Sequence, residues 1–543
     1  MTGSERPDPS TAPTGYDQEI RSHSTSLGAR GGKRRGLVAV LGALAALILL
    51  AGCSGASSDG ADADASESPV DGGTLTIGAG GRGAAETHDP NRWSSQAELE
   101  RANLVYEPLV TIDPDGNVAP MLATTLEPNA KGTVWTANLR QDVTWHDGSP
   151  FTADDVLYTF QLLADPKGPY GLPATANIDF DATEAVDDHT ISFVLNRPVA
   201  TFDRSIAGMM MVQDGVDTFD SPTGTGPYVF ESGSAGNEAS YTRYPNYWGE
   251  SHLENVKVVS IDDAQARTNA LTSGQVDVVD DVPFLQAKTM TSDPSVNVVQ
   301  ILGASSAPFY MRVDQPPFDD PKVREAFRLA IDRQKCVDNA LFGFGDVGND
   351  LLTPGDYAYN GDLPQREYDP EGAKQLLAEA GYPSGITVSL TTASTFTGMM
   401  ECSTIFAESA KAAGITIKLN KVPDADLFNP EAGFLSFDFG ATWWPSSIEN
   451  FIESTLLCDS PYNETHHCDP AFDEAYADAV AIVDPDARVA ALKAIQKEMW
   501  EDGGYIIWGE QPLINATASN VHGYEPYNPG ISGPVDIRTV WVS

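Results

Sequence analysis

The chain has 543 residues, with 33 Lys+Arg against 77 Asp+Glu and a formal net charge of -44. Its content of 41% hydrophobic and 9% aromatic residues suffices for a large buried core and excludes an acidic disordered chain. The acidic balance argues against nucleic acid, which needs clustered Lys and Arg, and against anionic lipid met through a basic patch. At about 150 residues per domain, the length allows roughly three or four domain-sized units.

Residues 1–35 are polar and end in Lys33-Arg34-Arg35. The apolar run 37–50 is shorter than the about 20 residues that a membrane span needs. A basic flank, a short apolar stretch and small residues make a secretory leader. The run closes on Leu50-Ala51-Gly52-Cys53, which resembles a bacterial lipobox. That resemblance implies cleavage before Cys53 and a diacylglycerol on its thiol. A signal peptide over 1–52 and a flexible tether over 53–70 are therefore expected, because residues 54–70 hold almost nothing to bury. No later segment approaches 18 uninterrupted apolar residues. The expected location is extracytoplasmic, on the outer face of the membrane, held by lipid alone.

From Gly73 onward the pattern is α/β. GGTLTIGAG reads as a short strand, and 134–139 (VWTANL) and 190–195 (TISFVL) alternate with the period of strands. Thr152 to Asp155 forms a capping box that opens a helix. Asp320-Pro321, Asp369-Pro370 and Asp484-Pro485 each place a cap and a Pro at a helix start. Four cysteines remain beyond Cys53, an even number in an exported chain. Cys458 and Cys468 flank a short polar loop, and bridging it is worth about 3 kcal/mol in the chain-entropy view. Cys336–Cys402 follows by elimination, two buried thiols being the alternative.

No nucleotide loop, nucleophile elbow or metalloprotease His pair is present in the sequence. His466-His467 beside Cys468 reads as solvated loop chemistry, so no metal, no cofactor and no catalytic residue are expected. What stands out is a series of ordered segments. LATTLE at 122–127 leads to Trp135, Leu139-Arg140, Trp145-His146-Asp147-Gly148 and Ala153-Asp154-Asp155. HDPN (88–91), VYEPLV (105–110), PTGTGPYVF (222–230), YPNYWG (244–249), ALTSGQVDVV (270–279), PPFDDPKVREAFRLAIDR (316–333) and DPEGAKQLLAEAGY (369–382) complete it. Together these resemble the family 5 extracellular solute-binding proteins, which feed peptide, nickel and related ABC importers.

The resemblance implies a two-lobed periplasmic-binding-protein-like clamp, type II and cluster C-like, with an extra subdomain. Lobe I is expected from 71–112, 222–316 and 508–543, the subdomain from 113–221, and lobe II from 317–507. Ligand binds between the lobes, which close by hinge rotation. The implied partners are a peptide or other small polar ligand and an ABC permease with its ATPase, the protein itself acting as a monomer. Peptide-binding members carry an Asp shortly after a Trp in lobe II that pairs with the ligand's α-amino group. Alignment on Phe451 puts Trp444 there, and Asp438 belongs to a structural part of the pattern. No Arg occurs between Arg366 and Arg488, which removes a bidentate carboxylate clamp from that stretch. The aromatic residues Trp443, Trp444 and Phe396, with Trp93 and Tyr310 in lobe I, are the candidate ligand contacts. A cell-surface hydrolase and a ligand-occupancy sensor are the rival functions, and an oligosaccharide is the rival ligand.

Overall fold

The structure is a computed structural model. It describes residues 68–543 except 115, 166–169, 171–174, 353, 430–432, 446 and 526–535. The leader, Cys53 and nearly all of the tether lie outside the described residues. Pro69–Ser543 is one compact unit. No helix among the described residues is long and apolar enough to cross a membrane.

Three sheets of four or more strands organise the described residues, with two two-stranded sheets beside them. The largest, nine-stranded, runs in the order Trp444–Pro445, Val296–Ser306, Gly509–Ala518, Val278–Val279, Thr74–Ala79, Asn255–Ser260, Glu238–Arg243 and Tyr228–Gly233. Asp346–Val347 pairs with Gly509–Ala518 off this path. A five-stranded sheet runs Ile415–Lys421, Ile386–Thr392, Phe439–Ala441, Phe309–Met311 and Tyr505–Ile506. A four-stranded antiparallel sheet joins Ala123–Pro128, Val134–Leu139, Thr190–Val194 and Glu184–Asp187.

The helix starts follow the capping signals. Asp320, Asp369 and Asp484 each accept a backbone N–H at the head of Pro321–Leu329, Pro370–Glu379 and Pro485–Asp502. Pro at the first turn gives up no helical hydrogen bond, because that N–H has no intrahelical partner. Asp469-Pro470 opens Pro470–Val480 by the same device. Val323, Ala326 and Phe327 are fully buried from Pro321–Leu329. The adjoining Ala330 and Ile331 extend that buried face beyond the helix end.

Several of the ordered motifs meet in one knot. Glu107 of VYEPLV is buried, and its carboxylate accepts from Thr225 Oγ1 (2.9 Å), Tyr247 OH (2.7 Å) and Trp248 Nε1 (2.9 Å). The Arg140 guanidinium lies over the Trp248 ring at 3.9 Å. Gly224 is required beside this knot: a Cβ there would stand 1.8 Å from the Val105 carbonyl oxygen. These motifs tie distant segments together, because a buried carboxylate must find donors wherever the chain supplies them.

A second polar centre surrounds Asp350, which is 1% exposed at its side chain. Arg333 Nη2 donates to both of its oxygens at 2.8 Å, Arg366 Nη1 to one at 2.5 Å, and Ile507 N to the other at 2.9 Å. Burial raises the Asp350 pKa, but Arg333, Arg366 and Arg328 outweigh it and hold the carboxyl below its usual range. Cys336–Cys402 and Cys458–Cys468 are both disulfide-bonded.

Candidate ligand site at the junction of the two large sheets

Two chain connections run side by side between the nine-stranded and five-stranded sheets. One is Ala307-Pro308, between the strands Val296–Ser306 and Phe309–Met311; the other is Ile507-Trp508, between Tyr505–Ile506 and Gly509–Ala518. Each joins two strands that pair with the other connection's strands on both sides. Trp508 Nε1 donates to Ala307 O at 2.6 Å, and Ser306 Oγ donates to Gly509 O at 2.8 Å. Ala307, Ile507 and Trp508 are fully buried.

The segment 439–445 runs along this junction. Phe439–Ala441 pairs with Phe309–Met311, Thr442 N donates to Pro308 O (2.9 Å), and Trp444 then pairs with Ser306. One short stretch therefore starts in the five-stranded sheet and ends as the edge of the nine-stranded one. Trp443 and Trp444, between these pairings, are half-buried.

Phe396 and Trp443 stack with ring centroids 4.7 Å apart and planes at 9°, and Phe428 meets Phe396 edge-on at 5.6 Å. The loop carrying Phe396 is held against the junction: Gln511 Nε2 donates to Thr397 O at 3.0 Å. Trp444 is flanked by Phe451 (5.9 Å) and Tyr462 (6.0 Å). Three of the five expected contacts, Phe396, Trp443 and Trp444, thus come together at the sheet junction.

Tyr310 is a correction. It is 0% exposed and its hydroxyl donates to Phe434 O at 2.7 Å. Its ring lies where a Cβ on the facing Gly440 would stand, 2.3 Å from the hydroxyl. Gly440 makes room for Tyr310 within the five-stranded sheet, so Tyr310 is core. Trp93 is 52% exposed, and no ring contact among the described residues joins it to the Phe396–Trp443 pair. His466 and His467 bond to the carbonyls of Leu435 and Leu456 at 2.9 Å each. No His/Cys/Asp/Glu group suited to a metal occurs among the described residues.

The arginines that border the Arg-free stretch are occupied. Arg366, 6% exposed, bonds Asp350 and Glu325, and its guanidinium lies 4.0 Å over Trp500. Arg488, 7% exposed, donates to Ile482 O and Val483 O. Two cavities lie elsewhere. One of about 60 Å³ beside Glu107 and Arg538 has room for only about two waters. The other, about 720 Å³, opens over the four-stranded sheet around Arg140, Asp142 and His189. Its lining mixes charges and contains no aromatic ring apart from His189, so it lacks the apolar walls of a ligand site.

Residues 117–462 match the family described as bacterial extracellular solute-binding proteins, family 5. The chain belongs to this family. Heme-binding protein A of Haemophilus influenzae is 28% identical over 461 residues, covering 77% of this chain and 82% of that protein. Di/tripeptide-binding protein 2 of Pseudomonas aeruginosa is 26% identical, covering 81% and 90%. The structure of HbpA2 from Haemophilus parasuis superposes with a TM-score of 0.78 at 24% identity, covering 87% of this chain and all of that one. This family 5 protein is thus a two-lobed α/β binding protein, and the paired connections at 307–308 and 507–508 join its two large sheets.

One member of the site escaped the sequence reading. Glu464, fully buried in the loop closed by Cys458–Cys468, accepts from Trp444 Nε1 (2.8 Å), Tyr505 OH (2.9 Å) and Thr442 Oγ1 (3.1 Å). Its partners are 20, 41 and 22 positions away, so no local motif announces it.

Proposed function

We propose that this protein is a lipid-anchored receptor that captures an extended peptide between its lobes and delivers it to an ABC importer. The observation that carries the ligand class is the aromatic wall of Phe396, Trp443 and Trp444 at the lobe junction, bordered by arginines already paired inside lobe II. Aromatic faces hold side chains and backbone of many sequences, whereas a free dipeptide depends on charged clamps at both ends. The family's relatives include a di/tripeptide-binding protein, which supports a peptide ligand. The lobes are assigned as 71–112, 222–307 and 508–543 for lobe I and 308–507 for lobe II, with 113–221 as the subdomain; the boundary expected at 316 moves to 307 because Phe309–Met311 is a strand of the five-stranded sheet. Trp444–Pro445 and Asp346–Val347 reach across that division into the larger sheet. The function assigned is binding without catalysis, by a monomer held to the membrane through Cys53.

Calorimetry on ligand-stripped protein tests this reading with three panels: dipeptides, pentapeptides and oligosaccharides. Pentapeptides are expected to bind at micromolar Kd or tighter. Dipeptides should bind weakly or not at all, because losing the two charge-assisted contacts that anchor a dipeptide's ends weakens binding by about two to four orders of magnitude. Trp443→Ala should weaken pentapeptide binding at least tenfold. Tight dipeptide binding unchanged by that substitution, or oligosaccharide binding alone, would overturn the proposal.

A further inference from the structure

The protein contains the same polar arrangement twice. Glu107 accepts from a Trp indole, a Tyr hydroxyl and a Thr hydroxyl, and so does Glu464. In the first, the ring face of Trp248 is occupied by the chain's own Arg140 guanidinium, 3.9 Å from the centroid. In the second, no cation of the described residues covers Trp444; the guanidinium–ring stacks are Arg140–Trp248, Arg204–Tyr357 and Arg366–Trp500. Trp444 is half-buried and sits at the lobe junction.

We propose that Glu464 and Trp444 form a cation-accepting subsite, in which Glu464 positions the indole and the Trp444 face takes a guanidinium or ammonium group of the ligand. The proposal deepens the reading of the junction as the ligand site and rests on it. Three features of the geometry carry it. The indole N–H is already donated to Glu464 at 2.8 Å, so Trp444 offers a ligand its ring and no donor. A ring face attracts cations through its quadrupole, most strongly for Trp. Glu464 also has no Lys, Arg or His in ion-pairing range among the described residues. Its surroundings are the Tyr505 and Tyr310 phenols and the Thr442 hydroxyl. Burial pushes its carboxyl up to about 7, with the three hydrogen bonds pulling the other way. A ligand cation over Trp444 therefore supplies the positive charge that this buried carboxylate lacks, as Arg538 does for Glu107 in the first arrangement.

The loop that carries Glu464 is built to hold it there. Cys458–Cys468 closes the loop at both ends. Thr465, next to Glu464, is fully buried, and its carbonyl accepts from Val313 N at 2.8 Å. Asn463 Oδ1 accepts from Thr465 Oγ1 and from His467 N. The acidic side chain thus enters the core on a braced loop, and the indole is set by a rigid acceptor.

The test uses five penta-alanine derivatives carrying one Arg at successive positions, and five with citrulline, the neutral isostere of Arg, at the same positions. Calorimetry in about 0.15 M salt keeps long-range attraction to the acidic protein screened. At the position that reaches Trp444, Arg is expected to bind roughly 3–30-fold more tightly than citrulline. Trp444→Leu should bring that ratio to the value at the other positions. Glu464→Gln keeps an acceptor for the indole and gives the Thr442 hydroxyl an amide donor. It should therefore lower the Arg-to-citrulline affinity ratio at that position, whatever it does to the two affinities in common. A purely structural role for Glu464 would weaken both peptides alike. Pentapeptides that bind with equal affinity for Arg and citrulline at every position overturn the subsite and leave the receptor reading intact. Failure of every pentapeptide to bind overturns the peptide reading and the subsite with it.

Discussion

Replacing Asp350 by Asn removes the negative charge at the centre of the Arg cluster while keeping the side chain's shape. Asp350 accepts from Arg333, Arg366 and the backbone of Ile507, and both arginine side chains are 3% exposed. An Asn amide points N–H groups at guanidinium donors on one side, leaves buried Arg333 without a counter-charge and leaves Arg366 with Glu325 alone. Breaking a buried pair from one side costs about 3–5 kcal/mol. If Pro69–Ser543 unfolds as one unit, its unfolding entropy is on the order of 1 kcal/mol/K, so Tm should fall by roughly 3–5 °C. If lobe II unfolds separately, the fall is larger and splits the calorimetric transition. The pH dependence follows from the depressed pKa of Asp350. Its contribution is full above the unfolded carboxylate value of about 3.9 and is lost as pH falls through the lower native value. The gap between wild type and Asp350→Asn should therefore stay constant from neutral pH to about 4 and narrow below. An unchanged Tm at pH 7, read by scanning calorimetry, would refute the assignment of Asp350 as the charge that holds this cluster.

Trp508→Phe removes the indole donor that links the two lobe connections; urea unfolding should show a loss of about 1–3 kcal/mol from the buried carbonyl left without it. Cys53→Ser should release the protein into the medium or leave it unprocessed, as read by fractionation and intact mass. A Cys53→Ser protein that stays in the membrane at the mature mass would refute the lipid anchor.

The parts of this fold that were legible in the sequence are those encoded locally. Asp-Pro caps mark helix starts because cap and Pro act within one turn, and 134–139 alternates because successive side chains face opposite sides. The roles of Tyr310 and Glu464 were not legible. The family resemblance places Tyr310 on a strand that reaches the cleft but does not show which face of the strand meets it. The deciding fact is the space left by Gly440 on the partner strand. Glu464 reads as one more loop acid in an acidic chain until the fold brings Thr442, Trp444 and Tyr505 to it. The aromatic candidates at 443–444 stand out in the sequence because the resemblance aligns them with the ligand-anchoring stretch of peptide-binding members, with Phe396 as a further ring. Their mutual stacking depends on Gln511 and the lobe connection, which only the tertiary structure supplies.

The most direct measurement is a crystal structure of the protein with its tightest-binding pentapeptide. The account predicts the peptide lying between the nine-stranded and five-stranded sheets, in contact with Phe396, Trp443 and Trp444, with its cationic side chain over the Trp444 ring. A peptide seated instead in the open groove around Arg140, Asp142 and His189, with the lobe junction empty, would contradict it.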